Sequence, residues 1–570
     1  MKGYILYNKQ ACLHVVWMLG LLWFCSGCTS RTEEASLVLV NGNIYTLDPK
    51  QPRVEAVAVR DGEIVWTGTS AQAQTWMGTR TQVLDLGGRT VVPGLTDAHA
   101  HLMGIGQGAR ILDLSSVTSY EELIRLVQAA AVRVPRGTWI VGRGWHQSKF
   151  QPQPIPVVQG YPIHGALSAA VPYHPVMLTH ASGHAILANA LAMEEAGIQA
   201  DTQVGTDGEI IRHPDGRPTG IFTENAASLI EKVIPADGGG QFEADLEAAT
   251  AHCLRNGITS LHDAGASGEV IRLYQQRSDP GLRLYVMLNG SDTALVQQWY
   301  RHGPEIGPYL TVRAVKYYGD GALGSRGAWL LAEYSDRHGH AGNPLMDTTA
   351  LHQAAVDAIA HDFQMCTHAI GDRSNREVLD AYEKALAAYP DKAPQARFRI
   401  EHAQHIDPQD IPRFAGLGVI ASMQAIHMSS DRPWAIDRLG PERINSGAYR
   451  WQTLLRSGAV IANGTDAPVE PVNPIANFYA AVTRQTLAGV PSGGYEPAEK
   501  MTREQALRSL TLDAAYAAFQ ETVSGSIVPG KYADFTVLSQ DLMTVPDSAI
   551  LNTQVVMTIV GGKVRYRQEP

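Results

Sequence analysis

Residues 91–101 read VVPGLTDAHAH, an apolar run that ends in an aspartate and two histidines. Such a run is typical of a buried strand, on which residues two apart point to the same face. His99 and His101 therefore lie side by side at the end of the predicted strand. Two imidazoles in that position can bind one metal ion, but the pair alone is weak evidence, because most histidines serve as surface or core residues.

The composition describes a globular protein with room for more than one domain. The chain has 570 residues, which is enough for a large core and accessory domains. Its hydrophobic content is 45% and its charged content is 18%, both ordinary values for globular proteins. The net charge of −10 gives no reason to expect nucleic acid as a partner. Five scattered cysteines are too few for a disulfide framework.

Residues 1–28 differ from the rest of the chain, with two lysines ahead of the apolar run ACLHVVWMLGLLWFCSGC. A positive start, an apolar centre and small residues at the end predict a secretory signal. The ending resembles a bacterial lipobox, which predicts an exported protein with a lipid on Cys28, at the periplasmic face of the outer membrane in a Gram-negative cell. That lipid tethers the protein to the membrane without a span, and polar residues 29–35 follow as a linker. An uncleaved anchor helix and ordinary secretion are the alternatives.

The two ends of the mature chain have similar β patterns. Short alternating segments with Asn-Gly, Asp-Gly and Gly-Gly turns fill residues 36–90, and similar segments return in residues 515–570. Alternation between such turns predicts strands joined by tight hairpins. We expect both ends to form one small β-sandwich that flanks a central domain. Two independent β caps are the alternative, but each would be short of core.

Apolar strand candidates alternate with helical stretches across residues 91–480. The stretches TALHQAAVDAIAHDF and SNREVLDAYEKALAAY repeat apolar residues at intervals of three and four, as helices do. Eight strands are predicted, and eight βα units indicate an α/β fold, a TIM (β/α)8 barrel with its active site at the carboxyl ends of the strands. After VVPGLTDAHAH, the predicted strands are residues 258–265, 282–288, 312–321, 363–372, 397–404, 418–424 and 459–466.

The segment between the first two predicted barrel strands is too long for a single helix. Residues 137–240 contain Pro-rich, Gly-rich and helical pieces with a substantial apolar content. We expect an inserted subdomain above the barrel mouth. A long disordered loop is the alternative, but the apolar content argues against it.

Four further titratable residues lie near the ends of predicted barrel strands, namely Lys316, His368, His402 and Asp466. Each has a structural alternative, since a histidine can be a hydrogen-bonded core residue and Asp466 can cap the next helix. All four nevertheless reach the same rim as the H-x-H pair. A metal site accounts for the whole set at once.

Lys316 poses a separate problem, because an ammonium does not bind a cation and is costly to bury without a partner. A buried lysine loses its proton readily, and the neutral amine can take up carbon dioxide as a carbamate. The carbamate is a carboxylate that can bridge two metal ions. We therefore expect a carboxylated Lys316.

Eight motifs together form a specific combination that covers residues 36–566. They are GLTDAHAH (94–101), SGHAILAN (182–189), GRPTGIFTENA (216–226), VKYYGDGALGSRGAWL (315–330), HAIGDRSN (368–375), RIEHAQH (399–405), NGTDAPV (463–469) and GSIVPGKYADFTVL (525–538). The combination resembles the amidohydrolase superfamily of metal-dependent hydrolases, and more narrowly the subgroup that includes N-substituted formamide deformylases. The resemblance implies a barrel with a composite β-sandwich and an insertion, a carboxylated lysine, and one or two divalent transition-metal ions of the zinc type.

The resemblance also implies roles for individual residues. Asp466 accepts the proton of the attacking water and passes it to the leaving nitrogen, so it is the predicted catalytic residue. Candidates for substrate contact are His184, Glu224, Asp320 and Arg326, each with a structural hydrogen-bonding role as the alternative. Six metal ligands are implied, namely His99, His101 and Asp466 for one ion, His368 and His402 for the other, and carboxylated Lys316 between them.

The predicted function is hydrolysis of an amide-type carbon–nitrogen bond in a small molecule by a metal-activated water. Deamination of a cyclic amidine is the first alternative, but deaminases of that kind carry a glutamate where this chain has Ile370. A non-catalytic surface lipoprotein that uses the barrel for binding is the second. The sequence leaves open the substrate, the metal and whether the enzyme forms a homodimer.

Overall fold

The computed structural model describes residues 34–569 except residues 109, 206–207 and 236–239. The predicted signal segment, with Cys28, and most of the predicted linker lie outside the described residues. Within the described part of the chain, none of the helices combines the length and apolar character that a membrane span requires.

The chain begins with strands that belong to a β-sandwich. They are β1 (Leu37–Val40), β2 (Asn43–Tyr45), β3 (Arg53–Val54), β4 (Ala56–Arg60), β5 (Glu63–Gly68), β6 (Gln82–Asp85) and β7 (Thr90–Pro93). One sheet has the order β5–β4–β1–β6, and β7, β2 and β3 lie together in the other. Buried apolar side chains from both sheets form the core between them.

The predicted strand at residues 91–101 is divided in the structure. Its first part is β7 of the sandwich, and its second part is the first barrel strand, β8 (Leu95–Ala100), followed by α1 (Leu102–Gly108). Gly94 lies at the junction, where a Cβ atom would be 2.1 Å from Thr259 Oγ1. The chain therefore changes sheets at a point where only glycine fits, and one apolar run serves two domains.

An inserted subdomain follows the first barrel strand, as predicted. It contains β9 (Leu112–Asp113), α2 (Tyr120–Ala131), β10 (Ile140–Trp145), β11 (Val157–Val158), β12 (Tyr161–Pro162), α3 (Gly165–Ala170), β13 (Val176–His180), β14 (Ala185–Ala188), α4 (Ala190–Glu195), β15 (Gly208–Arg212), β16 (Pro218–Glu224) and α5 (Ser228–Glu231). Six strands form a sheet in the order β15–β16–β14–β13–β10–β9. The subdomain begins before the predicted start at residue 137, because α2 packs Leu123 and Val127 into the core of this sheet.

The barrel consists of β8 and seven further parallel strands. The elements are α6 (Gly240–Arg255), β17 (Ile258–Ala266), α7 (Gly268–Gln275), β18 (Arg283–Asn289), α8 (Thr293–His302), β19 (Glu305–Ile306), β20 (Leu310–Tyr318), α9 (Thr348–Ala360), β21 (Gln364–Ala369), α10 (Asp372–Ala388), α11 (Ala393–Ala396), β22 (Arg399–His402), α12 (Ile411–Leu417), β23 (Ile420–Met423), α13 (Ala425–Gly447), α14 (Trp451–Ser457) and β24 (Ile461–Asn463). The strand order is β8–β17–β18–β20–β21–β22–β23–β24. The predicted TIM barrel is thereby confirmed.

The ring of strands is completed by backbone contacts between the segment after β24 and the end of β8. The amide of Asp466 donates to the carbonyl of His99 at 2.7 Å, and the amide of His101 donates to the carbonyl of Ala467 at 2.7 Å. A Cβ atom at Gly464 would lie 2.4 Å from the His99 nitrogen. This close approach brings the first and last barrel strands, and their site residues, together.

The end of the chain returns to the sandwich. After β24 the chain forms α15 (Pro474–Thr483), α16 (Arg503–Ser509) and α17 (Leu512–Ala517), and then the sandwich strands β25 (Phe535–Leu538), β26 (Val555–Val560) and β27 (Lys563–Arg567). Strand β25 pairs with β7 in antiparallel register, with Val537 opposite Val91. The resulting sheet, β27–β26–β25–β7–β2–β3, takes strands from both ends of the chain. The composite β-sandwich is therefore confirmed.

Candidate metal centre

The structure brings all six predicted metal ligands to the carboxyl-end rim of the barrel. They are His99 in β8, His101 directly after it, Lys316 in β20, His368 in β21, His402 in β22 and Asp466 after β24. The ring centroids of His368 and His402 are 4.4 Å apart, and those of His99 and His402 are 5.0 Å apart. Parallel strands end at a common rim, which is why side chains far apart in the sequence meet here.

One group of ligand atoms surrounds Asp466. Its Oδ1 lies 3.2 Å from His101 Nε2 and 3.5 Å from His99 Nε2. One ligand atom from each of these three residues lies within 4.8 Å of the others, as one bound ion requires. Lys316 Nζ is 3.3 Å from His99 Nε2, and its side chain is buried.

A second group includes a histidine that the sequence analysis did not single out. His402, His427 and Asp466 also place ligand atoms within 4.8 Å of one another. His427 lies in the first turn of α13, just after the seventh barrel strand. Its position near a strand end could therefore have predicted a place at the rim. His368 is adjacent to His402, and its buried Nε2 has no hydrogen-bond partner among the described residues.

Buried polar residues hold two of the histidines in the orientation that metal binding needs. The carboxylate of Glu401 accepts the Nδ1–H of His99, and the amide oxygen of Gln424 accepts the Nδ1–H of His402 at 2.7 Å. Each contact leaves Nε2 free with its lone pair toward the centre. Arg399 holds Glu401 in turn, with Nε 2.7 Å from Oε1 and Nη2 2.9 Å from Oε2. The sequence analysis missed these supporting residues, although RIEHAQH contains Arg399 and Glu401.

The protonation states of the site suit a divalent cation. Burial, together with the neighbouring Lys316, lowers the pKa of His99 to about 4. Burial also lowers the pKa values of His368 and His402 well below the ordinary range. Burial acts to raise the pKa of Asp466, but the hydrogen bond from His101 and the nearby histidines hold it well below its usual value. Neutral imidazoles and an ionised carboxylate are the donors that divalent transition metals bind.

Two residues of the centre have strained backbones. His402 has a φ of 73° and Asp466 has a φ of 58°, both in the left-handed region that non-glycine residues rarely adopt. Such conformations cost about 1–3 kcal/mol each and persist only where the surrounding fold enforces them. The strain places both side chains toward the same point of the rim.

His184 and Glu224, two of the predicted substrate contacts, lie beside the metal centre. His184 Nδ1 is 2.7 Å from Glu224 Oε2, and the His184 ring centroid is 5.3 Å from that of His368. Burial acts to lower the pKa of His184, but the Glu224 carboxylate raises it above its ordinary value. His184 is therefore a hydrogen-bond donor that faces the cavity over the predicted ligands.

Asp320, another predicted substrate contact, has structural partners instead. It accepts the backbone amides of Trp329, Ile370 and Gly371 at 2.8, 3.0 and 2.8 Å, and its side chain is fully buried. Burial raises its pKa to about 7. Because both carboxylate oxygens are used inside the protein, Asp320 reaches the site only through His368, whose Nε2 is 3.6 Å away.

The structure does not bring Arg326, the fourth predicted contact, to the metal pocket. Its Nε and Nη2 lie 3.1 and 3.0 Å from the two carboxylate oxygens of Asp336. It lines a neighbouring pocket, together with Tyr161 and Glu209 of the insertion, and that pocket shares Glu224 with the larger cavity. A substrate contact by Arg326 stays a prediction, and the structure shows its guanidinium paired with Asp336.

Two cavities meet at the metal centre. The larger encloses about 1620 Å³, including the part open to solvent, and the smaller about 650 Å³. Sites of several hundred cubic ångströms are typical of small-molecule ligands. The residues that line both cavities are Ser182, His184, His368, His402, Asp466 and Val469.

Comparisons with known proteins agree with this architecture. Residues 82–566 match the sequence model of the amidohydrolase family. The protein LONG AFTER FAR-RED 3 of Arabidopsis thaliana is 32% identical over 553 residues, which cover 93% of this chain and 92% of that protein. The N-substituted formamide deformylase of Arthrobacter pascens is 27% identical over 556 residues, which cover 94% of this chain and 99% of that enzyme.

A solved structure shows the same fold at similar length. An uncharacterized metal-dependent hydrolase from Pyrococcus horikoshii superposes with a TM-score of 0.71 and 25% identity, covering 90% of this chain and 99% of that one. The barrel and its rim of histidines and aspartate define this protein as a metal-dependent hydrolase. The chain belongs to the amidohydrolase family, and it is an enzyme that acts on carbon–nitrogen bonds.

Proposed function

We propose that the enzyme hydrolyses an amide-type carbon–nitrogen bond of a small molecule, not a peptide chain, with a metal-activated water. The observation that carries the proposal is the convergence of His99, His101 and Asp466, with ligand atoms within 4.8 Å, beside the larger cavity. The relationship to the N-substituted formamide deformylase supports this class of bond.

The metal in this proposal is zinc, as one or two ions. The residues that would hold it are the six rim residues named above, and His427 is an additional candidate. A bound divalent ion supplies an ionised water at neutral pH and polarises the substrate carbonyl. The donor set fits such an ion, since burial favours the neutral forms of His99, His368 and His402 and Asp466 is ionised.

Carboxylation of Lys316 is part of the same proposal. Its Nζ lies beside the Nε2 of His99 and 4.8 Å from the ring centroid of Tyr318, and no carboxylate forms an ion pair with it among the described residues. An unpaired ammonium in this buried position, next to metal ligands, would repel a cation. A carbamate removes the positive charge and supplies oxygen ligands for the centre.

The protein's own residues then handle the protons. Asp466 is in the position to accept a proton from the attacking water and deliver it to the leaving nitrogen. His184, held by Glu224, donates a hydrogen bond toward the oxygen that becomes negative in the tetrahedral transition state. The side chains of His184 and Asp466 are largely buried, so their interactions with the substrate are stronger than they would be in bulk water.

A hydrolysis screen with metal-loaded protein tests the proposal. Formamides, N-acyl amino acids, dipeptides, cyclic imides and cyclic amidines are offered, and the release of organic amine is measured separately from the release of ammonia. We expect amine and acid from at least one amide, and no activity in a His101→Ala variant. Release of ammonia from cyclic amidines alone would assign the enzyme to deamination. Metal binding with no hydrolysis of any compound would contradict the proposal.

A further inference from the structure

A half-buried arginine of the insertion lines the larger cavity without an acidic partner in direct contact. Arg143 lies in β10, and its Nη2 is 3.5 Å from the carbonyl oxygen of Ala181. Its Nε is buried and has no hydrogen-bond partner. Among the described residues, no carboxylate oxygen lies within the 4.0 Å that defines an ion pair with this guanidinium. The side chain therefore carries a charge that the folded protein leaves uncompensated by direct contact.

Among the described residues, the arginines that are fully buried are paired with carboxylates. Arg283 lies 2.6 Å from Asp534, Arg399 lies 2.7 Å from Glu401, and Arg484 lies 2.9 Å from Glu496. A guanidinium keeps its proton under all ordinary conditions, so burial without an anion is costly. An unpaired one that lines a cavity beside a catalytic centre is accounted for by an anion that binds there.

A bulge in β10 directs Arg143 into the cavity. The pairing of β10 with β13 shifts register between Arg143 and Trp145. Gly144 lies between them with a φ of 110°, and a Cβ atom there would be 2.7 Å from the Ser115 nitrogen. Trp145 is fully buried and donates its Nε1–H to the carbonyl of Leu178. Because of the bulge, Trp145 remains in the core of the insertion while Arg143 faces the larger cavity.

The guanidinium lies within reach of the reacting groups. A Cβ atom at Gly183 would be 3.3 Å from Arg143 Nη2, so the guanidinium rests on the turn that leads into His184. Arg143, His184 and Lys316 line the same cavity. An anion bound to Arg143 and an amide at the metal centre can therefore belong to one small molecule.

We propose that Arg143 binds a carboxylate of the substrate, so that the enzyme acts on amides that carry a free carboxylate group. The inference rests on the proposed function and gives its substrate class. The planar guanidinium fork matches the two oxygens of a carboxylate. A phosphate dianion fits less well, because Arg143 is a single cation and the acidic Glu224 and Glu231 line the same cavity.

Two substrates that differ only in the carboxylate test the inference, N-formyl-leucine and N-formyl-3-methylbutylamine. We expect the wild-type enzyme to prefer N-formyl-leucine in kcat/KM. Arg143→Met, which keeps the length of the side chain, should raise KM for N-formyl-leucine about 100-fold, the usual value of a charge-assisted bidentate contact. Its kcat/KM for the uncharged formamide should fall far less than its kcat/KM for N-formyl-leucine. The KM of Arg143→Lys for N-formyl-leucine should lie between those of wild type and Arg143→Met.

The thermal midpoint separates ligand binding from a structural role. Arg143→Met removes a half-buried charge that has no ion-pair partner, so its Tm should equal or exceed that of wild type. The matched control is Arg125→Met, in α2 of the same subdomain, where the arginine is 70% exposed. The control should leave both Tm and the substrate preference unchanged. A fall of several degrees in Arg143→Met, with equal losses on both substrates, would assign Arg143 to structure and overturn the inference.

Titration calorimetry with 4-methylpentanoate, an anion without an amide, distinguishes failure of the inference from failure of the proposed function. Binding to wild type that Arg143→Met abolishes supports the inference, whether or not the formamides are hydrolysed. If this binding occurs and neither the two formamides nor any amide of the wider screen is hydrolysed, the proposed function is at fault. Hydrolysis of both formamides without preference, and without anion binding, would refute the inference alone. Neither hydrolysis nor binding would refute both.

Discussion

Glu401 illustrates how single side chains set the chemistry of the centre. Burial alone would raise its pKa, yet Arg399 and His99 hold that pKa well below the usual value. The ionised carboxylate then keeps His99 in the tautomer that leaves Nε2 free. A chain of buried groups, Arg399 to Glu401 to His99, thus reaches from the barrel interior to the metal centre.

Asp466 is the residue on which the proposed proton transfer depends. Asp466→Asn keeps the shape and one oxygen ligand but removes the proton acceptor. We expect turnover to fall by about two to four powers of ten, the usual contribution of general acid–base catalysis. Metal content, measured by mass spectrometry of the metal, should fall less than in His99→Ala or His101→Ala, because those changes delete a ligand. Near-normal turnover in Asp466→Asn would move the proton transfer to another group, with His184 the first to test.

Lys316→Ala tests the proposed carbamate. The variant should lose at least about 100-fold in activity, because it would lack the proposed carbamate ligand and the side chain that fills the space. Added short carboxylic acids, such as acetate or propionate, should restore part of the activity by replacing the missing carboxylate. Lys232→Ala, an exposed lysine of the insertion, is the control and should show neither loss nor rescue. Loss of activity without rescue, together with unmodified Lys316 in the wild-type mass spectrum, would contradict the carbamate.

The strands of the barrel show which elements a sequence pattern locates well. All eight predicted barrel strands occur, because buried parallel strands are continuous apolar runs with helices between them. The run at residues 91–101 is the exception, since apolar character alone does not distinguish a sandwich strand from a barrel strand. The close approach at Gly94, where the chain leaves β7 and enters β8, decides that division.

The contact between the segment after β24 and the end of β8, here called the seam, closes the barrel. It gives a prediction about stability. A Cβ atom at Gly464 would meet the His99 backbone nitrogen at 2.4 Å, and this backbone cannot move without opening the seam. Gly464→Ala should therefore lower the free energy of unfolding by about 1–3 kcal/mol, as overpacking does. Urea denaturation measures the change.

Gly416→Ala is the control for that experiment. Gly416 lies in α12, and no atom comes within 4 Å of a Cβ built there. Alanine favours a helix over glycine, so this variant should be as stable as wild type or more stable by about 0.5–1 kcal/mol. Equal stability of the Gly464→Ala variant and wild type would show that the seam tolerates a side chain.

The stability of the whole molecule should depend on His146. The residue is only 5% exposed, and burial, with the nearby Lys149 and Arg438, lowers its pKa to about 3 from 6.5. Between these pH values the unfolded chain binds more protons at this residue, so the free energy of unfolding rises with pH across the window. From pH 5 to pH 6.5 the contribution is about 2 kcal/mol.

Urea denaturation of wild type and His146→Gln at both pH values isolates this contribution. The variant should lack about 2 kcal/mol of the rise that wild type shows. Other groups, such as Asp320 with its pKa raised to about 7, make the free energy of unfolding fall as the pH rises. Both proteins contain these groups, so their contributions cancel in the difference between wild type and variant. The same pH dependence in both proteins would show that His146 is protonated or exposed in the fold.

We propose that the whole protein is tethered to the cell envelope by a lipid on Cys28. Mass spectrometry of the mature N-terminus should find an acylated cysteine followed by Thr29, and Cys28→Ala should release the protein from the membrane fraction. Thr29 occupies the place of the aspartate that marks inner-membrane retention in many Gram-negative bacteria, which favours the outer membrane. A free Thr29 or an intact Met1 at the N-terminus would defeat the proposal.

The fold class and the rim residues can be predicted from the sequence because the patterns that indicate them lie within short segments. Each strand and helix has its own periodicity, and the carboxyl ends of parallel strands must meet, so His99, His101 and Asp466 could be placed together before any coordinates. The roles of other residues depended on packing between distant segments. Glu401, for example, lies 302 positions from His99.

Arg143 shows the same division most clearly. Its type and its place in a strand are visible in the sequence, but an uncompensated charge is a property of what surrounds it in space. The spacing of apolar residues predicts which side chains of a single strand or helix point toward the core. Only the folded chain decides which groups a side chain touches, because hydrogen bonds and ion pairs act over about 3–4 Å, between atoms that the sequence separates by hundreds of residues.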